Sequence, residues 1–402
     1  ADPYDGAVPS WGHRLIAQGH RAVSIGKLHY RDTTDPNGFD EEIIPLHVVD
    51  GIGDLLGLIR DDLPERKGAA KFARDIGPGE SSYTNYDRSI TAETVRWLGE
   101  EAPKHSDKPW VLFVSFVCPH FPLIAPPEFY EMYPEADIPW PELYGEADRS
   151  THPYYTAMRA CMSYDKHFTE EKVRQAVAGY LGLCSFLDHN IGQVLHAIEQ
   201  SGLSDTTRVI YTSDHGEALG KRGLWGKSTM YEEAAAVPLI MAGPGIETGK
   251  RVATPVSLVD AHPTILDAVG AKPDPQDADL PGTSLFAVAH GAEPDRAVFS
   301  EYHAAASITA NYMVRQGRYK LVWFVGMPPE LFDLEADPEE TQNLAADPAH
   351  ADALAHMEGL LRGICDPDEV NRKARADQAE TIAKHGGREV ILGRGDFGYS
   401  PA

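Results

Sequence analysis

Cationic side chains are scarce in this chain of 402 residues. Its 36 Lys and Arg face 61 Asp and Glu, for a formal net charge of −25. That shortage argues against nucleic acid as a partner, because phosphate backbones are held by Lys and Arg. It leaves an anionic small molecule open, since a few cations gathered in one cleft reverse the field locally. Cysteine is scarce too. The chain has four, Cys118, Cys161, Cys184 and Cys365, with no Cys-x-x-Cys pair. So few in so long a chain make no disulfide framework. Cys184 reads as a small hydrophobe on a helix face. Cys118, just before Pro119-His120, has no activating pattern around it. No run of apolar residues approaches the ~20 of a membrane span, so no membrane partner is expected. Gly243-Pro244-Gly245-Ile246 has the spacing of a turn, not of a phosphate-binding fingerprint.

What is present is an ordinary apolar fraction, 42%, enough for a sizeable core. Residues 9–19 read as a helix, and residues 21–25 as a short strand delivering Lys27 and His29. Alternation along an extended chain puts those two on one face. Residues 31–88 are rich in Asp, Pro and Gly, with apolar islands such as 55–59. They read as an insertion at a cleft mouth, with Glu41-Glu42 and Asp61-Asp62 as solvated charges. After a helix at 90–100, residues 110–117 are almost continuously apolar, as in a strand buried on both faces. Residues 123–166 look irregular. The longest helix runs from about Thr169 to Ser201, with an apolar residue every three or four positions and Thr169 as its cap. Strands follow at 207–213 and 237–241. Residues 297–335 alternate as an antiparallel sheet, with a helix at 349–363 and a charged, weakly apolar tail from Asp366. The fold class this predicts is α/β: a mostly parallel central sheet flanked by helices, then a smaller antiparallel sheet plus helix. The expected division is a main α/β domain over 1–290 and a smaller unit over 291–402.

Chemistry concentrates in Val209-Ile210-Tyr211-Thr212-Ser213-Asp214-His215-Gly216-Glu217. A strand runs into a carboxylate and an imidazole at its carboxyl end, where open α/β sheets bind ligands. Such a pair can grip a divalent metal. Gly226-Lys227 follows a short loop later. His120, bracketed by Pro119 and Pro122, sits just past another strand. Taken alone, each signal has a plainer reading: Asp214 capping the next turn, Lys27 on the surface, His29 and His120 packed.

The set as a whole resembles the sulfatase family of the alkaline phosphatase superfamily, and within it the choline-sulfatase-like branch. The resemblance rests on Ser213-Asp214-His215-Gly216-Glu217, on Gly226-Lys227 with Tyr231-Glu232, and on Val237-Pro238-Leu239-Ile240. It extends to Gly26-Lys27-Leu28-His29, to Pro119-His120-Phe121-Pro122, and to Leu331-Phe332-Asp333-Leu334 with Asp337-Pro338-Glu339-Glu340 and Asn343-Leu344. It spans residues 7–345. It implies metal-dependent hydrolysis of a small-molecule sulfate ester. Asp214 and His215 would be ligands of one divalent cation, calcium or manganese. Lys27 and Lys227 would bind the sulfate oxygens. His29 would help release sulfate from a covalent intermediate, and His120 would be the general acid. His303 is a further candidate for the pocket wall. One departure is large. The family's Cys-x-Pro-Ser-Arg or Ser-x-Pro-x-Arg, whose Cys or Ser becomes the formylglycine nucleophile, is not found. Val8-Pro9-Ser10-Trp11 holds only Pro-Ser. The expectation is a chain lacking an N-terminal segment that carries the nucleophile and the remaining acidic ligands. Two alternatives stay open: a phosphodiesterase or phosphonate monoester hydrolase of the same superfamily, and a non-catalytic anion-binding homologue. A homo-oligomer also stays open, as does a cytoplasmic or periplasmic location. Trp225, Tyr302 and Tyr312 read as core aromatics.

Overall fold

The apolar stripe between 169 and 201 becomes the longest helix, and the main layer of the fold is laid against it. The computed structural model describes residues 3–395. Its first part runs α1 (Trp11–Ala17), β1 (Arg21–Lys27), β2 (Glu41–Leu46), α2 (Gly68–Arg74), β3 (Ile76–Pro78), α3 (Ser82–Glu100), β4 (Trp110–Ser115), β5 (Leu123–Ala125), α4 (Pro127–Tyr130), α5 (Pro153–Met162) and α6 (Glu170–Gln200). The second part runs β6 (Val209–Thr212), α7 (Glu232–Ala235), β7 (Leu239–Ala242), α8 (Ala261–Ala268), α9 (Leu285–Ala289), β8 (Ala297–Tyr302), β9 (Asn311–Gln316), β10 (Tyr319–Phe324), β11 (Glu330–Asp333), α10 (Ala351–Ile364), α11 (Pro367–Lys384) and α12 (Arg388–Arg394). Among the described residues no helix is long and apolar enough to cross a membrane.

Helix α6 starts where its sequence says it should. The Thr169 side chain accepts from the Lys172 N–H, and Glu170 and Glu171 occupy the first turn, where carboxylates favour the positive end of the dipole. Its first half buries Val173, Ala176, Val177, Leu183 and Phe186 beneath β5 and α4. Helix α3 starts earlier than expected, because Ser81 and Thr84 form a reciprocal capping box that extends the helix over polar residues. The region read as a loop-rich insertion contributes β2, which lies beside β1 in parallel register, Val23 opposite Glu41 and Ile25 opposite Ile43. Strand β4 flanks β1 on the other side, Val23 opposite Leu112 and Ile25 opposite Val114. Central β1 is sealed on both faces, with Ala22, Val23 and Ile25 fully buried, as a parallel strand between two neighbours requires.

The strands at 110–117 and 207–213 were expected in one sheet. Among the described residues the sheet is instead divided. The order β2-β1-β4 stops at β4, and β6 pairs only with β7, antiparallel. A cavity of about 2330 Å³ lies between the two pieces, so no ladder bridges them. The C-terminal sheet is antiparallel as its alternation predicts, in the order β11-β10-β9-β8. Tyr312, Val314, Leu321 and Leu331 pack there against Met357 and Leu361 of α10. The tail, read as weakly apolar, forms two helices. Ile391 of α12 is buried among Leu55, Leu56, Leu58 and Ile59, so the apolar island of the insertion is covered from the C-terminal side. Residues 396–402 of that tail lie outside the described residues.

One buried charge joins the two layers. Lys320 on β10 has no exposed surface, and its Nζ donates to Glu232 Oε1 at 2.9 Å and lies 2.8 Å from Glu340 Oε1. Glu340 Oε2 also accepts the Glu232 N–H at 2.7 Å, and Arg315 reaches Glu232 at 3.1 Å. The Asp337-Pro338-Glu339-Glu340 stretch therefore ties the antiparallel sheet to α7. Lys320→Ala leaves Glu340 buried and uncompensated and is expected to cost about 3–5 kcal/mol, read as a lower urea midpoint at unchanged m-value. A loss under about 1 kcal/mol would show that the network contributes no more than an exposed pair.

Candidate active site

Three strands end at one mouth of the cavity. Strand β1 ends in Lys27, with His29 two residues on. Strand β4 leads into His120, and β6 into Asp214 and His215. All five line the cavity, together with Lys227 from the loop after β6. Lys27 Nζ lies 3.9 Å from Asp214 Oδ2. Lys227 Nζ lies 3.2 Å from His120 Nε2, and the His120 and His215 rings are 6.4 Å apart. Six residues from four separate stretches thus meet, while His303 does not join them. Its Nε2 lies 3.1 Å from Glu301 Oε2 and its ring packs on Tyr312. Trp225 stacks on Phe168, and Tyr312 is fully buried.

Two glycines make the convergence possible. Gly26 has φ +103°, and a Cβ on it would come within 2.3 Å of the Ser115 carbonyl oxygen, so only glycine lets β1 turn towards the site so close to β4. Gly216 donates its N–H to Ala234 O at 2.9 Å. A Cβ there would meet Glu233 O at 2.2 Å, so α7 can lie directly against the Asp214-His215 corner. His29 does not reach the cavity by strand alternation. It sits past the end of β1 at φ +61°, in the left-handed region a non-glycine residue enters at a cost.

The ring protons follow from the partners. His120 Nδ1 lies 2.8 Å from Phe121 O, and His215 Nδ1 lies 2.8 Å from Gly216 O. A carbonyl only accepts, so each Nδ1 carries the hydrogen and each Nε2 presents a lone pair. Lys227 donates to that of His120. That of His215 points to the Asp214 side, 3.5 Å from Oδ2. The electrostatics agree. Burial, then Lys227, holds His120 well below its usual pKa. Burial, then Lys27 and Lys227, lowers His29 to about 4. Burial, then Lys227, also lowers His215. For Asp214 burial pulls upward, but His215, Lys27 and Lys227 outweigh it and hold the carboxyl below its ordinary value. Lys227 itself falls to about 8, through burial and then repulsion by Lys27. Lys227 and His29 keep open surface, but that surface faces the cavity, where water screens charge less than bulk solvent does.

Asp214 and His215 supply an oxygen and an imidazole nitrogen, the donor types of a divalent-cation site. Among the described residues no group of three or more His, Cys, Asp and Glu can hold a metal, and hard cations take six or more ligands. The residues present are a partial donor set for such a cation. Cys118 is only 4% exposed, and burial pushes its thiol well up, the opposite of an activated thiolate.

Three supporting roles escaped the sequence reading. Asp87 on α3 accepts the Val117 and Cys118 N–H groups, each at 2.9 Å, and so fixes the turn before His120. Its signal was present: an acid within the buried stripe Tyr83, Ile90, Thr94 and Trp97. Glu217 Oε1 accepts from Gly226 N at 2.6 Å and Leu219 N at 3.0 Å, bracing the loop that carries Lys227. Glu42, read as a solvated charge, has a side chain only 7% exposed, lying 3.3 Å from His47 and accepting from Asn37.

A family model described as Sulfatase matches residues 30–271. A second, described as N-sulphoglucosamine sulphohydrolase, C-terminal, matches residues 220–366. A choline-sulfatase of Rhizobium meliloti (strain 1021) is 31% identical over 360 residues, covering 87% of this chain and 69% of that protein. An arylsulfatase K of Canis lupus familiaris is 33% identical over 410 residues, covering 93% and 71%. A solved phosphonate monoester hydrolase of Silicibacter pomeroyi is 25% identical, with TM-score 0.66, covering 90% of this chain and 80% of that one.

Burial raises the Asp87 carboxyl to about 6 from an unfolded value of 3.8. With the folded pKa the higher, the stability this group contributes is fully present below about 3.8 and is lost as pH rises through about 6. Asp87→Asn removes that dependence. In urea unfolding, wild type should gain stability relative to the variant on acidification from pH 6.5 to 4.5. A difference that stays flat or reverses would mean the carboxylate is stabilised in its charged form.

Proposed function

The chain belongs to the sulfatase family of sulfuric ester hydrolases, and from that premise we propose that its polar cleft binds the sulfuryl group of a small sulfate ester. The observation that carries this reading is the meeting of Lys27 and Lys227 with three imidazoles and the Asp214 carboxylate at the carboxyl ends of β1, β4 and β6. A tetrahedral anion there gains two ammonium groups whose mutual repulsion it relieves. Charge spreading over the oxygens in the transition state is stabilised by those same ammonium groups, already in place before reaction.

In this reading Lys27 and Lys227 hold the sulfuryl oxygens, and His120 stands at the leaving oxygen. In the free cleft His120 is neutral, with its lone pair on Lys227. A bound anion draws Lys227 to itself, offsets the cations that depress His120, and lets Nε2 take up the proton it would give to the departing alkoxide. His29, whose charge is coupled to both lysines and to Asp214, is suited to proton traffic in the return of sulfate. Asp214 and His215 would contribute two ligands to the family's divalent cation, calcium or manganese, which when bound supplies Lewis-acid charge at the same oxygens. The relative's name makes choline sulfate the first ester to try. The likeness to the Silicibacter enzyme favours a second reading, a phosphonate or phosphate monoester, which fits the same cation pair.

The test is calorimetric titration with inorganic sulfate and, separately, phosphate. Lys227 titrates near 8 and is charged below that value. Sulfate affinity should therefore fall between pH 7 and 9, by about tenfold if the lysine contributes ~1.4 kcal/mol. Lys227→Arg should keep the affinity across that range, since guanidinium stays protonated, and Lys227→Ala should lose it at every pH. Affinity indifferent to both substitutions would sink the assignment. Tighter phosphate than sulfate would move the reading to the second class.

A further inference from the structure

One turn of the insertion, Leu55–Leu58, has two sides. Asp54, Leu55, Gly57 and Leu58 line the cavity. Leu55, Leu56, Leu58 and Ile59 also pack on Ile391 of α12, with Ile382 of α11 and Leu392 half-buried around them. The same stretch is therefore a wall of the cleft and a floor under the C-terminal helices. Farther along, the insertion closes on the end of α5. The Arg66 N–H donates to Cys161 O at 2.7 Å, and the Cys161 thiol donates to Pro64 O at 3.2 Å. Cys161 is only 3% exposed, and Met162 beside it lines the cavity.

The grip on the two helices is mostly polar. Helix α11 buries only Pro367 and Gln378, and α12 only Ile391. Arg388 donates to Asp61 O at 2.7 Å and Asp62 O at 2.8 Å. Arg375 donates to Asp61 Oδ1 and to Ile308 O, both at 2.9 Å. Gln378 Nε2 donates to His303 O at 2.6 Å. Such bonds exchange with water at small net cost. Beneath α11 lies a penalty. Arg60 is 4% exposed, and its guanidinium donates to Ser307 O at 3.3 Å, Asn371 Oδ1 at 3.1 Å and Gln378 Oε1 at 3.5 Å. All are neutral oxygens. Among the described residues no carboxylate pairs with it, because Asp61 is taken by Arg375. Burial, then repulsion by Arg375, lowers Arg60 to about 10, so it is still charged at neutral pH. A buried cation without a counter-charge is costly. Docking α11 buries it, and undocking returns it to water.

We propose that α11 and α12 form a releasable strap. Docked, the strap holds the 54–66 wall against the cleft; released, it frees that wall and opens the side of the cleft next to α5. Ile391 is the catch, and Arg60 keeps the docked state from becoming too stable to leave. Alternation of this kind lets a cleft enclose a ligand and then discharge it. The strap acts on the wall and not on the polar mouth, so it holds whichever anion the mouth takes.

The test uses hydrogen exchange by mass spectrometry on the full chain, together with alkylation of Cys161 by N-ethylmaleimide, read by peptide mapping. In wild type, residues 367–394 and 54–66 should open together and ahead of β1, β9 and β10. Ile391→Asp puts a charge under the catch. Exchange in both segments and alkylation of Cys161 should rise by about tenfold or more, with β1, β9 and β10 unchanged. Arg60→Met keeps the length and removes the charge. It should do the opposite, slowing both segments and the alkylation by about tenfold. An arginine with a merely structural role would loosen α11 on that change, so faster exchange in Arg60→Met overturns the proposal. An Ile391→Asp chain whose helices loosen while 54–66 and Cys161 stay protected overturns it as well. Should Ile391→Asp fail to fold, Arg60→Met decides alone. Titration with inorganic sulfate should be alike in wild type and both variants; a change there would place the effect at the mouth, against the proposal.

Discussion

Lys227 occupies a place that disfavours its charge. Lys27 repels it, the cavity wall strips its water, and its pKa drops to about 8. Most of the architecture around the mouth keeps that repulsion from being relieved by movement. Burial of β1 on both faces fixes Lys27. Glu217 draws in two N–H groups of the Lys227 loop, and the neighbouring Arg222 is held by Glu233 at 2.8 Å and by the Glu339 carbonyl. Each such bond is worth only about 1 kcal/mol, or about 1.5–3 where a charge takes part. Several of them on one short loop are enough to hold an ammonium where it would not settle alone. An anion entering the mouth meets cations already in position, and the reorganisation cost has been met during folding.

The meeting of the candidate residues in one cleft was legible in the sequence because they stand at strand ends. Lys27, His120 and Asp214 each follow a run of apolar residues, and a run of that kind can be read locally. His29 was reached for the wrong local reason: alternation predicted its side, but a left-handed turn delivers it. The braces were less visible. Asp87 acts on backbone N–H groups about thirty residues away in sequence, and a single acid in an apolar stripe looks like an imperfection until its partners are seen. Glu42 looked solvated because its partners, Asn37 and His47, are defined only once β2 has docked on β1.

The larger departure concerns the sheet. Local pattern predicts strands, and it predicted β1, β4, β6 and β7. It does not say which strands touch, because pairing is decided by what lies between them. The C-terminal sheet fared better, since its strands follow one another through short turns and nearest neighbours in sequence are neighbours in space. Even there Lys320 was read as one residue in an alternating strand, although it is a fully buried cation. The Leu331-Phe332-Asp333-Leu334 and Asp337-Pro338-Glu339-Glu340 stretches, which resemble a family signature, turn out to be fastenings: Asp333 is gripped by Arg318, and Asn343 accepts from Leu331 and Ala345.

Helix α6 has 31 residues, which at 1.5 Å of rise makes a rod of about 46 Å. Its first half is set in the core beneath β5 and α4. Its second half leans on α3 along one flank and faces the cavity with the other. Mechanically it is a cantilever, clamped at one end and supported from one side. Whatever occupies the cavity presses on the free flank, and a clamped rod answers such a load by bending along its length. Spectroscopic labels at the two ends of α6 would therefore act as a gauge of how full the cavity is, far from the polar mouth.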